Sequence, residues 1–104
     1  MDENPTAIWR KRQARRLADA LAAITDVRTM RAVLRDVMTE SEIDEVSTRL
    51  EAARMLDQGL TYVDVVHRTR LSSRTVARIS DWMQHGCNGY AAALALLKAH
   101  HTHA

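Results

Sequence analysis

Apolar residues recur at intervals of three and four along most of the chain, the spacing that places side chains on one face of an α-helix. The clearest stripe lies in the middle of the chain and consists of Ile43, Val46, Leu50 and Ala53. The segment Thr39-Glu40-Ser41-Glu42 precedes it with the side chains of a capping box, and Gly59 follows where helices commonly end. We therefore predict a long third helix that begins at Glu40.

Two shorter stripes precede this helix. Asn4 and Pro5 are typical of a helix start and predict a first helix to about residue 24, with Ile8, Leu17, Leu21 and Ile24 as its apolar positions. Asp26 can cap a second helix, which carries Val27, Met30, Val33, Leu34 and Val37. Both apolar stripes need a partner surface to cover them.

Three helices are predicted after Gly59. Thr61 can cap a helix too short to be stable alone, and Ser72 or Ser73 can cap the next, which ends near Gly86. A last helix follows Asn88-Gly89. Two short helices joined by a tight turn are therefore expected at residues 61–83.

Composition agrees with an all-α fold. The chain contains three Gly, one Pro and no Phe, so turn residues and strand-favouring aromatics are scarce. Its 104 residues, without repeats or a long linker, suit one domain spanning 1–104 with a flexible tail at 98–104. Because so short a chain buries a limited share of its surface, self-association is expected.

Several classes of protein can be set aside. No apolar run reaches the roughly 18 residues of a membrane span, and the N-terminus lacks an export signal, so we expect a cytoplasmic protein without membrane contact. One cysteine cannot form an internal disulfide. We see neither a phosphate-binding glycine loop nor a Ser/His/Asp arrangement, so we expect no enzyme and no cofactor.

Charge is distributed unevenly despite a net value of +2. Residues 1–36 carry +3, residues 37–60 carry −4 and residues 61–83 carry +2. This pattern is compatible with a localised anion-binding face. The basic run Arg10–Arg16 is interpreted first as a solvated helix face and second as a phosphate contact.

The segment Thr61–Ile79 has the pattern of a helix-turn-helix. Inward positions hold Val65, Leu71, Val76 and Ile79, and outward positions hold Ser73, Arg74, Ala77 and Arg78. A second helix enters the major groove of DNA only if its outward face is polar, rich in donors and free of bulk. DNA binding is therefore the leading hypothesis, and a purely structural hairpin is the alternative.

Two positions depart from common usage in such hairpins. A small residue is usual where this chain has Val66, and Gly is usual in the turn where it has Arg70. A left-handed backbone at Arg70 would cost about 1 kcal/mol, so we expect the turn to differ slightly.

Four further motifs carry a resemblance to a known family. They are Met38–Glu42, Ser47–Leu50, Leu56–Tyr62 and Thr75–Ile79, and Asn88-Gly89-Tyr90 follows them. In order and spacing they resemble the Trp repressor superfamily, and the last motif resembles its YerC/YecD-type branch. The resemblance implies a six-helix, all-α fold with a helix-turn-helix, in an intertwined homodimer that binds a palindromic operator as a transcriptional regulator. It also implies that the N-terminal helices at 1–37 are dimerisation helices.

The resemblance also implies an effector pocket. Repressors of this family that respond to tryptophan hold it between two arginines, which Arg49 and Arg78 match here, and Thr39 matches a residue near the ligand. Ile79 replaces a glycine and Trp82 a serine. Since overfilling a packed site costs about 1 to 3 kcal/mol, we expect the protein's own side chains to fill this pocket and tryptophan not to act as co-repressor.

The arginines then need other roles. Arg49 can pair with an acid or support the interface, and Arg78 can contact phosphate or stabilise the hairpin. Trp82 is interpreted as a core residue. Cys87 is interpreted as a small packed side chain rather than a redox sensor, and His100, His101 and His103 as a frayed tail rather than a metal site.

For a DNA-binding homodimer, we expect Ser73, Arg74 and Thr75 to approach the bases, and Arg68, Arg70, Ser72 and Arg78 to contact phosphates of double-stranded DNA. The alternative, from a different class, is a helical protein-interaction or assembly module that keeps the hairpin without binding DNA. Acidic residues 40–57 would then face the partner.

Overall fold

The computed structural model describes residues 4–102, and the side chains of residues 4–99. Within this range all regular structure is helical and no strand occurs. A short 3-10 helix, Ala7–Arg10, precedes six α-helices: α1 Arg12–Ala23, α2 Val27–Val37, α3 Glu40–Asp57, α4 Tyr62–Thr69, α5 Ser73–His85 and α6 Gly89–Thr102. The predicted all-α class is confirmed.

The predicted start of the first helix is wrong. The 3-10 helix and α1 are separate elements because Lys11 between them is extended, with φ −78° and ψ 125°. The Asn4 side chain accepts from the Thr6 backbone N–H at 2.9 Å and from the Thr6 hydroxyl at 2.7 Å. It thereby closes a local turn two residues on rather than capping an α-helix.

The next two helices begin where the sequence predicts. The Asp26 carboxylate accepts from the backbone N–H of Thr29 at 2.8 Å, and this hydrogen bond lowers the pKa of Asp26. At α3 the Thr39 hydroxyl accepts from the Glu42 N–H at 3.1 Å, and the Glu42 carboxylate accepts from the Thr39 N–H at 2.8 Å. The capping box is confirmed.

Packing divides the chain into two compact units, one ending at Asp44 and the other beginning at Glu45. Because α3 crosses this boundary without a break, the division concerns packing, and the single domain stays a prediction. The buried apolar core among the described residues belongs to the second unit: Ala52, Ala53, Val65, Val76, Ile79 and Leu94.

The helices α1 and α2 of the first unit contribute no buried residue. Leu17 is 52% exposed, Val27 63% and Val37 60%, although all three belong to the predicted apolar stripes. The sequence forms the amphipathic helices, and these parts of their apolar faces remain open in the single chain.

The last helix carries the described chain to Thr102. The Lys98 ammonium lies 3.0 Å from the Asp57 carboxylate and joins α6 to the end of α3. The backbone of residues 98–102 is thus helical, while His103 and Ala104 lie outside the described residues and the flexible tail stays a prediction. In the described part, no helix combines the length and apolar character that crossing a membrane requires.

Candidate nucleic-acid interface

The hairpin is formed by α4, a short turn and α5, and each of its helices begins at a hydroxyl cap. The Thr61 hydroxyl accepts from the Asp64 N–H at 3.1 Å, and the Ser72 hydroxyl accepts from the Thr75 N–H at 3.1 Å. Ser72, rather than Ser73, is therefore the cap of α5. Each cap satisfies an N–H group that its helix cannot pair internally.

The turn between the helices is left-handed at Arg70, with φ 66°. The expectation that this turn would avoid the left-handed region is therefore wrong. The N–H of Arg70 donates to the Val66 carbonyl at 2.9 Å, and the Thr69 hydroxyl donates to the Val65 carbonyl at 2.7 Å while accepting from Leu71 N–H at 3.2 Å. These bonds offset the strain of about 1 kcal/mol at a residue other than glycine.

Packing of the hairpin follows the predicted inward positions. Val65, Val76 and Ile79 are buried, and Leu71 is half-buried against the same core. Val66 is also half-buried there, so its branched side chain is accommodated at the edge of the core. The two helices are fixed by this apolar contact, which leaves the other side of α5 available.

The predicted outward positions of α5, namely Ser73, Arg74, Ala77 and Arg78, are all exposed. Among residues 4–99, no carboxylate forms an ion pair with either arginine. Asp81 follows on the same face and was missed by the sequence analysis, although its spacing of seven from Arg74 could have revealed it. Its carboxylate lies 3.0 Å from His85 Nδ1, at the far end of the helix.

Two of the other predicted contact residues lie within the cap of α5. Thr75 is half-buried, and its hydroxyl accepts from the Ser72 hydroxyl at 3.0 Å. Both hydroxyl groups are therefore already engaged in ordering the first turn. Their contribution to an interface includes holding Ser73 and Arg74 in a rigid helix.

The remaining predicted contacts, Arg70 and Arg68, are exposed but lie in different places. Arg70 borders a shallow recess between the turn and α4. Arg68 borders another recess, about 390 Å³, whose opposite wall is formed by Thr48, Glu51 and Met55 of α3. The structure thus does not bring all seven predicted residues into one cluster.

A carboxylate in the recess beside Arg68 is already paired. Arg54 Nε donates to Glu51 at 3.1 Å, and this contact lowers the pKa of Glu51 while it raises the pKa of Arg54. Both side chains remain substantially exposed, so the pair adds little stability. Its consequence is that Arg68 keeps its charge free for another partner.

An open cleft of about 450 Å³ lies beside α5. Its lining residues are Arg49, Thr75, Arg78, Ile79, Trp82 and Tyr90. Four of the five predicted pocket residues therefore come together, and Ile79 and Trp82 form part of the wall while space remains between them and the arginines. The expectations that the protein's own side chains fill this pocket and that Trp82 is a core residue are therefore wrong, because the half-buried indole lies at the edge of an open cleft. The fifth, Thr39, belongs to the first unit, where its hydroxyl is engaged in the capping box.

The sequence did not indicate one residue that lines this cleft and another that lies behind its wall. Tyr90 forms part of the wall, and Gly86 lies against the indole of Trp82. A Cβ at residue 86 would overlap the Trp82 ring and would lie 2.5 Å from the Trp82 carbonyl oxygen. The Asn88-Gly89-Tyr90 motif could have indicated Tyr90. The close contact between Gly86 and Trp82 cannot be recognised from the sequence.

The interpretation of Cys87 as a packed side chain is wrong, because this residue is exposed. It follows the end of α5, where the chain turns toward α6, so little of the core can cover it. Among the described residues, no three His, Cys, Asp or Glu side chains are grouped as a metal site would require. The side chains of His100, His101 and His103 lie outside the described residues, so their interpretation as a frayed tail stays a prediction.

Comparisons with known proteins agree with this architecture. The family model described as Trp repressor protein matches residues 12–98. The uncharacterized protein YerC of Bacillus subtilis (strain 168) is 29% identical over 89 residues, covering 86% of each chain.

Two solved structures are similar over most of their length. A TrpR like protein from Eubacterium eligens ATCC 27750 superposes with a TM-score of 0.77 at 28% identity, covering 85% of this chain and 91% of that one. A putative Trp repressor from Staphylococcus aureus superposes with a TM-score of 0.81 at 25% identity, covering 92% and 96%.

The six helices and their helix-turn-helix thus define a Trp-repressor-like fold. Because the family model covers most of the chain, this protein belongs to the Trp repressor family and resembles its YerC-type members.

Proposed function

We propose that this protein is a sequence-specific, DNA-binding transcriptional regulator that acts as a homodimer and is not an enzyme. The observation that carries the proposal is the division of α5 into two faces. Val76 and Ile79 are buried while Ser73, Arg74 and Arg78 are exposed, so the outward face remains free to enter a major groove. The family model points in the same direction. Such an activity belongs in the cytoplasm, where genomic DNA is accessible.

The proposed dimer is supported by the open apolar faces of the N-terminal helices. Leu17, Val27 and Val37 are each more than half exposed, and a second copy of the chain offers the same stripes in return. A twofold dimer presents two hairpins, and it therefore matches a palindromic operator. Burying these stripes supplies the association energy that the single chain leaves unused.

Different side chains have different roles in the proposed complex. Arg74 and Ser73 lie at the N-terminal end of α5, the end that reaches base edges in a helix-turn-helix, so we assign base contacts to them and to Thr75. Arg78, Arg70, Arg68 and Ser72 are assigned to phosphates. Asp81 lies nearer the other end of the helix, where its charge interferes least.

We further propose that tryptophan is not a co-repressor. Ile79 and Trp82 supply branched and aromatic bulk to the wall of the cleft, in a place where tryptophan-binding relatives have small residues. A ligand of the folded state raises the melting temperature by mass action. We therefore expect millimolar tryptophan to leave the melting temperature unchanged, and an upward shift would overturn this part of the proposal.

The DNA proposal is tested by selecting genomic fragments on the purified protein, sequencing them and measuring affinity for the recovered site and for scrambled DNA. Arg74→Ala should lose about 1 to 3 kcal/mol of preference for one base position. Arg28→Ala, an exposed cation on α2, is the control and should retain the preference.

Equal affinity of the wild-type protein for every fragment would remove the claim of sequence specificity. Absence of DNA binding at low salt would favour the protein-interaction module, with the acidic residues 40–57 as its partner-facing surface.

A further inference from the structure

The start of α1 carries a dense group of exposed cations that the hairpin does not use. We call it the N-terminal basic surface, and it consists of Arg10, Lys11, Arg12 and Arg16, all exposed. The surrounding segment 10–16 has five basic and no acidic residues. The net charge of +2 therefore conceals a local concentration of positive charge larger than that of the hairpin.

Acidic side chains within the described chain leave this surface unneutralised. Among residues 4–99, no carboxylate pairs with any of its four cations. The nearest acidic residue along α1 is Asp19, which is exposed and also forms no ion pair with them. The first turn of α1 contains no acidic residue, so its backbone N–H groups add to the positive potential.

The fifth basic residue orders the surface. The Arg15 guanidinium donates to the Trp9 carbonyl at 2.6 Å and thereby ties α1 to the preceding 3-10 helix. This bond spans Lys11, the extended residue between the two elements. Arg10 and Lys11 are thus held close to Arg12 and Arg16, and less conformational entropy is lost when they bind together.

The helical repeat separates this surface from the apolar stripe. With about 3.6 residues per turn, Arg12 and Arg16 lie on one side of α1 while Leu17 and Leu21 lie on the other. A partner copy can therefore cover the leucines and leave the cations exposed. A lipid surface would instead need the leucines and the cations at once, so dimerisation competes with membrane binding but not with binding to a polyanion.

We propose that the N-terminal basic surface is a second, sequence-independent binding site for the phosphate backbone of duplex DNA. This inference rests on the proposed function, since it assigns a further contact to the same regulator. The hairpin distinguishes sequences, and the basic surface adds affinity for all of them through release of counterions.

The test compares Arg12→Gln/Arg16→Gln with Arg28→Gln/Arg31→Gln, which removes equal charge from exposed residues of α2. Affinity for the selected operator and for scrambled duplex is measured by fluorescence anisotropy between low and moderate salt. Each phosphate contact contributes about 0.9 to the slope of log affinity against log salt. The first variant should lower this slope by about 2 per protomer on both duplexes and leave their affinity ratio unchanged, and the second should change it little.

Four outcomes would overturn this inference, and the first of them leaves the proposed function standing. An operator preference that depends on Arg74, together with an unchanged salt slope in Arg12→Gln/Arg16→Gln, would overturn the basic surface and leave the regulator standing. Equal loss of slope in both double variants would also overturn it, because net charge alone would explain the effect. A change in dimerisation of Arg12→Gln/Arg16→Gln, measured by sedimentation, would overturn it as well. The same holds if this variant binds anionic vesicles more weakly than the wild-type protein but binds both duplexes equally well. Retained helicity by circular dichroism is required of each variant.

Discussion

The two compact units of this chain differ in how their apolar side chains are covered. The unit from Glu45 onward buries Val65, Val76 and Ile79 among helices of the same chain. The unit up to Asp44 has equally regular helices, but α1 and α2 bury no residue, and Val27 and Val37 remain mostly exposed. Regular helices are therefore present in both units, while the buried residues among those described lie in the second unit.

The physical reason is the surface that covers the apolar stripe of each helix. An amphipathic helix gains most of its stability from the surface that covers its apolar face. The hairpin is covered by α6 and by the part of α3 from Glu45 onward, which belong to the same unit, whereas the N-terminal stripes depend on a second copy in the proposed dimer. We expect substitutions in the two units to differ in their dependence on protein concentration.

The largest effect is expected from Ile79→Ala in the buried core. Removing a buried isoleucine leaves a cavity and should lower the free energy of unfolding by about 2 to 5 kcal/mol. Urea unfolding followed by circular dichroism measures this. Leu17→Ala, at a half-exposed position, should cost much less at concentrations too low for dimerisation. Equal losses at both positions would contradict the comparison.

Gly86→Ala should have the next largest effect. The added Cβ overlaps the Trp82 ring and the Trp82 carbonyl oxygen, so the end of α5 must shift at a cost of about 1 to 3 kcal/mol. Thermal unfolding measures the loss. Tryptophan emission should change in a Trp9→Phe background, where Trp82 is the remaining indole. Gly89→Ala, where a Cβ meets open space, is the control.

Leu17→Glu should weaken self-association while leaving the hairpin folded. Placing a charge on a stripe that the partner covers should raise the dimer dissociation constant about tenfold, equivalent to about 1.4 kcal/mol. Analytical ultracentrifugation measures this. Gln13→Glu adds the same charge at an exposed polar position of α1 and should leave the constant unchanged. A monomeric wild-type protein would contradict the proposed dimer directly.

Ser72→Ala should cost about 1 kcal/mol, because the Thr75 N–H loses its acceptor at the start of α5. The matched variant Ser73→Ala removes an exposed hydroxyl that is not the cap and should cost less. Thermal melts of both variants give the difference. A larger loss at residue 73 would mean that the cap assignment is wrong.

The smallest effect concerns the acid side of the stability profile. Because the bond from Thr29 lowers the folded-state pKa of Asp26, its stabilisation is complete above the ordinary value of 3.8 and is lost as the pH falls through the lowered value. Asp26→Asn removes this titrating carboxylate. The small loss of stability between pH 4 and pH 2 should therefore become smaller, by about the contribution of one exposed cap. Melting temperatures across that range measure it, and an unchanged profile would contradict the assignment.

Local chemistry explains why so much of the fold could be predicted. The caps at Asp26, Thr39, Thr61 and Ser72 depend on side chains within three residues of the N–H groups that they satisfy. The inward and outward positions of α5 follow from helical periodicity. The first helix was placed wrongly because Asn4 accepts a hydrogen bond from Thr6 and closes a local turn. Asn can also cap a helix, so the residue type alone does not distinguish the two structures.

The candidate site was less predictable because it depends on distant contacts. The sequence grouped Arg68 with the hairpin contacts, but α3 forms the opposite wall of its recess. The closeness of Gly86 to Trp82 and the exposure of Cys87 likewise depend on how α5 meets the next helix.

The sequence by itself determined the helices, their caps and the polar face of α5, because hydrogen bonds and apolar periodicity act over a few residues. Only the tertiary structure decided which apolar stripes are buried within the chain and what space remains beside Arg49 and Arg78. It also decided that Arg70 adopts a left-handed backbone in the turn. Those outcomes depend on close packing between segments far apart along the chain, where a single Cβ changes the result.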